Sequence, residues 1–197
     1  MTDPSDQNDL RRVVVIVALL NLAYFGVEFT VARAIGSVSL FADSVDLLED
    51  ASVNLLIAFA FGWSALARAR VGMAMAGILL IPAMSLVWVL WQKFGNPVPP
   101  DAVNLSLTGL GALAVNLTCA YLLSRHRHHS GSLNKAAFLS ARNDALANIA
   151  IIGAGLVTAY TLSVWPDVVV GLAIAVMNLD AAREVWEAAH EEHRAAS

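Results

Sequence analysis

The chain has 197 residues, of which 58% are hydrophobic and only 14% are charged, and its formal net charge at pH 7 is −4. Soluble domains carry about 25% charged residues, so this composition excludes an ordinary soluble protein. The acidic balance argues against a nucleic-acid partner, and a single cysteine, Cys119, excludes a disulfide framework within the chain.

Six predicted membrane helices follow one another along the chain. Three of them are uncharged runs, each long enough to cross a bilayer, which takes about 20 apolar residues. These runs are residues 71–91, 102–123 and 145–165. Three further runs are apolar but interrupted by polar residues, namely residues 13–32, 39–67 and 168–182. The sequence therefore predicts an all-α membrane protein, a bundle of six transmembrane helices.

The predicted organisation is one transmembrane domain at residues 11–187 between a polar N-terminal tail at residues 1–10 and a short cytoplasmic tail at residues 188–197. The acidic N-terminus lacks the basic start of a cleaved signal peptide, so we expect the first helix to be retained. Nine of the twelve basic residues fall on alternate connections, namely Arg11, Arg12, Arg68, Arg70, Arg125, Arg127, Lys135, Arg183 and Arg194. The positive-inside rule then places both termini in the cytoplasm.

The second predicted helix carries an unusual concentration of acid. Asp43, Asp46, Asp50 and Asn54 fall within an arc of about 80° on one helix face, and Glu49 lies to one side. A charged side chain at mid-bilayer costs about 2.5–3.5 kcal/mol on insertion scales, so a cation, a proton, a basic partner or water must offset it. For Asp43 a simpler interpretation is a position among the outer headgroups, near the N-terminus of the second helix. The helix dipole stabilises an acid at that end.

The fifth predicted helix offers a counterpart to these acids. This helix extends to the N-terminal side of its uncharged run and includes the segment AAFLSARNDALANIAIIGAG, residues 136–155. Asp144 lies in that segment, with Ser140 one turn before it and Asn143 adjacent. One reading is a surface acid paired with Arg142. The other is that Asp46, Asp50 and Asp144 converge, because oxygen ligands at one-turn spacing on two facing helices can enclose a divalent metal ion.

The segment GSVSLFADSVDLLEDA, residues 36–51, resembles the first loop and second helix of the cation diffusion facilitator family. The family pattern is roughly S-x-S-L-x-A-D-x-x-(His or Asp)-x-x-x-Asp, and Asp46 and Asp50 take its two ligand positions. In the fifth helix the family pattern is His or Asp followed four residues later by Asp. In this chain Asp144 matches the second position, whereas Ser140 stands at the first. The segments NLAYFGVEF, VNLTCAYLL and WPDVVVGLAIAV extend the resemblance over roughly residues 13–187.

The resemblance implies a secondary transporter, not an enzyme, that exports zinc, or cadmium or a similar divalent ion, in exchange for protons. It implies no prosthetic group, so that the only metal is the transported ion. It also implies a homodimer that contacts membrane lipid and lies in a bacterial inner membrane. Ser140, Asn143, Glu49 or water would supply the fourth ligand. The chain is expected to belong to a short branch of the family that lacks the cytoplasmic domain following the sixth helix.

Several alternatives remain open at this level. A proton-coupled exporter of organic cations would also need acidic residues within the membrane. For a metal transporter, carboxylate ligands widen the choice of ion toward manganese. An intramembrane aspartyl protease would carry Gly-x-Gly-Asp, whereas Ala-Arg-Asn precedes Asp144. The histidines of one predicted inner loop are either metal ligands or part of a basic loop, and these are His126, His128 and His129. Glu28 lies seven residues after Asn21, on the same face of the first predicted helix. We expect it either to line a cavity that opens to the outside or to lie at the outer membrane interface.

Overall fold

A computed structural model describes residues 4–59, 84, 86–125 and 131–177, with the side chains of residues 4–8, 10, 57 and 131–140 outside the description. This part of the chain contains six helices and no strand, which confirms the all-α prediction. The helices are α1 (Pro4–Ile35), α2 (Val38–Phe59), α3 (residues 86–95), α4 (Ala102–Ser124), α5 (Gly131–Thr161) and α6 (Trp165–Met177). Most of the predicted third span, the histidine loop and the predicted C-terminal tail lie outside the described residues.

Three helical stretches are long and apolar enough to cross a membrane, namely Arg11–Ile35, Ala102–Ser124 and Ala141–Thr161. Large apolar side chains point outward from all three, as Leu19, Leu107 and Leu156 show, which suits contact with lipid. Trp91, near the middle of α3, is 75% exposed and fits the interfacial position that tryptophan favours. The chain is thus a multi-pass membrane protein; six spans and cytoplasmic termini remain predictions.

The bundle is built from two helix pairs that pack against each other. In the described residues, α1 lies along α2 and α4 lies along α5, while α1 also packs on α4 and α2 on α5. The Tyr24 hydroxyl donates a 2.7 Å hydrogen bond to the backbone carbonyl of Thr108, which joins α1 to α4. Phe29 and Phe41 meet edge to face, with ring centroids 5.2 Å apart, and join α1 to α2.

A tight turn at Gly36 and Ser37 reverses the chain between α1 and α2. Gly36 has φ +63°, a left-handed conformation that glycine adopts without strain, and the Ser37 amide closes α1 by donating to the Ala32 carbonyl at 3.0 Å. The Ser37 hydroxyl accepts a 3.2 Å hydrogen bond from the Leu40 amide and so caps α2. Because the turn is short, the two helices run antiparallel as a hairpin.

Helix α1 begins before its membrane-spanning stretch, which starts at Arg11. The helix begins at Pro4, so the described part of the polar N-terminal tail continues the first helix. Proline suits the first helical turn, because it has no amide hydrogen that would lack a partner there.

Candidate metal site

Two of the three predicted ligands lie side by side where α2 packs on α5. The side chains of Asp50 and Asp144 lie within hydrogen-bonding distance of each other. Asp46, one turn before Asp50, interacts electrostatically with both. The structure therefore brings together the three carboxyls that the sequence singled out on two helices.

The three carboxyls are neighbours whose oxygen atoms do not surround one point. Among the residues that the structure describes, no group of three His, Cys, Asp or Glu side chains is arranged to hold one metal ion. Aspartate has two side-chain torsions, so rotation at Asp46, Asp50 and Asp144 is the movement by which ligands would converge. Their oxygens suit zinc, which carboxylates bind at about 2.0–2.2 Å, and harder divalent ions as well.

Asp50 also accepts hydrogen bonds from two asparagine side chains, one on α1 and one on α2. Asn21 on α1 donates to Oδ2 of Asp50 at 3.5 Å, and Asn54 donates to its backbone carbonyl at 2.7 Å. Asn21 in turn accepts a 3.5 Å contact from the Cys119 thiol on α4. Side chains of α1, α2, α4 and α5 thus meet around Asp50. The sequence showed Cys119 only as a single cysteine that excludes a disulfide framework, whereas this buried thiol interacts electrostatically with Asp50 and Asp144.

The residues considered for a fourth ligand have different surroundings. Glu49 is partly buried and interacts electrostatically with Asp50. Asn143 is exposed, and its side-chain oxygen accepts a 3.5 Å hydrogen bond from Arg142, which is itself exposed. Ser140 lies in α5, one turn before Asp144, and its side chain is among those outside the description.

A second group of buried polar side chains lies beside the three aspartates. Glu28 on α1 and Asp43 on α2 are both fully buried. Asn148 on α5 donates to Oδ2 of Asp43 at 2.7 Å and accepts from Asn116 on α4 at 3.3 Å. Asp43 is therefore enclosed by protein instead of lying among headgroups, and Glu28 is likewise inside the bundle. Neither was among the predicted site residues.

A buried aspartate of α6 caps the acidic helix. Asp167 accepts four hydrogen bonds from the start of α2, from the hydroxyls of Ser37 and Ser39 at 2.6 Å each and from the amides of Val38 and Ser39 at 2.8 and 3.1 Å. A helix N-terminus presents unpaired amides and partial positive charge, so a carboxylate is well suited there. Because this cap fixes where α2 begins, it also fixes the direction in which the acids of α2 point.

Asp167 was not among the residues predicted from the sequence. The available signals were an acid directly after a proline at the start of a predicted helix and a Ser-x-Ser pair at the start of α2. Lys93, at the end of α3, also faces Asp167; burial lowers the pKa of the Lys93 ammonium, and the charge of Asp167 opposes that shift.

Comparison with known proteins adds two findings. The family model of the cation efflux transmembrane domain matches residues 14–190. The zinc transporter ZitB of Pectobacterium atrosepticum is 26% identical over 186 residues, which is 83% of this chain and 57% of that protein. The chain thus covers little more than half of the length of this relative.

Proposed function

This chain belongs to the cation efflux family, also called the cation diffusion facilitator family, and on that premise we propose that it exports a divalent transition metal ion from the cytoplasm in exchange for protons. The family identifies a transporter of metal cations, not an enzyme. The observation that carries the proposal is the approach of Asp50 on α2 to Asp144 on α5, with Asp46 beside them, inside a membrane bundle. Acids so placed in a membrane protein serve an ion or proton pathway by default.

Zinc is the proposed substrate, with cadmium or a similar ion as the nearest alternative. The support is the name of the related zinc transporter and the capacity of zinc to accept carboxylate ligands. Three aspartates make a compact, strongly anionic group, which suits a small divalent ion better than a bulky organic cation. The fourth ligand is proposed to be Ser140, Glu49 or water, because the exposed side chain of Asn143 is engaged with Arg142.

Exchange with protons follows from the chemistry of the ligands. A carboxylate binds metal only when it has lost its proton, so metal and protons compete for Asp46, Asp50 and Asp144. In the proposed cycle, metal from the cytoplasm displaces protons, the bundle rearranges to open outward, and protons from outside displace the metal.

We also propose that the protein works as a homodimer joined through its membrane helices in a bacterial inner membrane. The support is the family resemblance. A strictly monomeric particle in native-like lipid that still transports metal would contradict the dimer.

The test of function is transport by the full chain in sealed lipid vesicles with trapped zinc and pH indicators. We expect zinc entry coupled to opposite proton movement in the wild type, and loss of both in Asp50→Asn, which keeps the side-chain volume and removes the charge. Asp101→Asn is the matched control, because Asp101 is exposed and asparagine also caps a helix well. Proton movement driven by an organic cation but not by zinc or cadmium would contradict the proposal.

A further inference from the structure

Glu28 and Asp43 face each other across the α1–α2 hairpin. Seven residues further from the turn on each helix, Asn21 faces Asp50 in the same way. Two helical turns therefore separate the Glu28–Asp43 pair from the Asn21–Asp50 pair, a rise of about 10 Å along the helices. The hairpin register thus sets Glu28 and Asp43 beside the three aspartates as a separate pair.

Most carboxyl oxygens of Glu28 and Asp43 lack a hydrogen-bond donor among the described residues. Both oxygens of Glu28 and Oδ1 of Asp43 are buried and receive no hydrogen bond from any N–H or hydroxyl in the described part of the chain. Only Oδ2 of Asp43 has a donor, the side-chain amide of Asn148. The two carboxyls are close enough to hydrogen-bond to each other once one of them carries a proton.

The described groups that face the pair do not supply positive charge. Tyr24 on α1, Asp46 and Asp50 on α2 and Asp144 on α5 interact electrostatically with Glu28 or Asp43, and each is an acid or a phenol. Two adjacent buried carboxylates without a cation are strongly unfavourable, whereas one proton between them removes a charge and supplies the missing hydrogen bond.

We propose that Glu28 and Asp43 share one proton and form a proton-binding site of this protein, apart from the three aspartates that bind metal. The use of this site rests on the proposed function. A divalent ion held by Asp46, Asp50 and Asp144 would draw the shared proton off, because its positive charge favours the ionised form of a nearby carboxyl. The oxygen–hydrogen bond of the pair then breaks, the proton leaves to water, and both carboxylates remain ionised while the metal is bound.

Infrared difference spectra of the full chain in lipid nanodiscs at neutral pH test the shared proton. We expect the wild-type minus Glu28→Gln spectrum to contain the carbonyl band of one protonated carboxylic acid. Glutamine fits this position, because its amide can donate to Oδ1 of Asp43 and leave Asp43 ionised. Asp43→Asn is the reciprocal variant, in which Glu28 keeps the proton and its band moves. A Glu28→Gln difference spectrum with only ionised carboxylate bands would overturn the proposal.

The release of the proton is tested by counting protons set free when zinc binds to the same samples. We expect Glu28→Gln to bind zinc and to release about one proton fewer per zinc than the wild type, whereas Asp101→Asn releases the wild-type number. If Glu28→Gln released as many protons per zinc as the wild type, the Glu28–Asp43 proton would have no role in metal–proton exchange, and that part of the proposal would be overturned. A wild type that neither binds zinc nor moves it into vesicles would instead refute the proposed function, and the infrared spectra would still decide whether the proton is shared.

Discussion

Asn148 on α5 donates a 2.7 Å hydrogen bond to the carboxyl of Asp43 on α2, and both side chains are fully buried. Asn148 lies one turn after Asp144, and Asp43 lies two turns before Asp50. This hydrogen bond therefore ties together the two helices that carry the proposed metal ligands, at a point next to those ligands.

Replacement of Asn148 by leucine should weaken both the fold and the metal site. Leucine has a similar size but cannot donate to Asp43, and it also leaves the Asn116 amide without its acceptor. An orphaned buried polar group costs about 1–3 kcal/mol, so the free energy of unfolding should fall by about that amount. Thermal unfolding and zinc titration of the purified protein measure the two effects. Asn104→Leu, at an exposed position of α4, is the control, and equal behaviour of the two variants would contradict this role of Asn148.

Asp167→Ala should destabilise the protein more than the loss of an exposed helix cap. The substitution removes the acceptor of four hydrogen bonds at the buried start of α2, so we expect a loss of about 3 kcal/mol or more. Asp101→Ala removes the exposed cap of α4 and should cost about 0.5–2 kcal/mol. Asp167→Asn, which keeps one acceptor oxygen, should fall between the two. The comparison is made by thermal unfolding in one detergent, and equal losses for both alanine variants would refute the special role of Asp167.

Ser140→His tests whether residue 140 faces the ion. Residue 140 precedes Asp144 by one turn on the same helix face, which is the spacing of two ligands on one helix. An imidazole there should complete a site of three aspartates and one histidine, tighten zinc binding and shift the preference further from manganese toward zinc. Competitive titration with the two ions measures the shift. Unchanged affinity and selectivity would show that Glu49 or water supplies the fourth ligand.

Labelling of single introduced cysteines tests the predicted orientation. Asn96→Cys and Ser130→Cys lie in two connections that the positive-inside rule assigns to opposite sides of the membrane. We expect a membrane-impermeant thiol reagent added outside intact cells to label Asn96→Cys and not Ser130→Cys. The buried wild-type Cys119 is the background control. Labelling of both positions from the same side would refute the topology.

The sequence was sufficient to predict the helical class and to place Asp46 and Asp50 on one face of α2, whereas their joint binding of a metal ion with Asp144 stays a prediction. Uncharged runs of about 20 residues have few structural alternatives, and acids one turn apart on a membrane helix must share a face. It did not reveal the Glu28–Asp43 pair, because pairing between helices depends on the register that the Gly36–Ser37 turn sets.

Asp167 was missed for a related reason. Its four hydrogen bonds reach the start of a helix about 130 residues earlier in the chain, with Ser37 as one donor. Helix propensity and periodicity describe neighbours along the chain, so they carry no information on such a contact.

The central claim is that Asp46, Asp50 and Asp144 form one metal site, and zinc affinity in a double-mutant comparison tests it most directly. Zinc titration of the wild type, Asp50→Asn, Asp144→Asn and the double variant at one pH provides the four affinities. If the carboxylates hold one ion together, each single change should weaken binding by more than about 100-fold, and the double variant should be little worse than either. Glu49→Gln should have a smaller effect. Losses at Asp50 and Asp144 that simply add, as for two independent sites, would contradict the account.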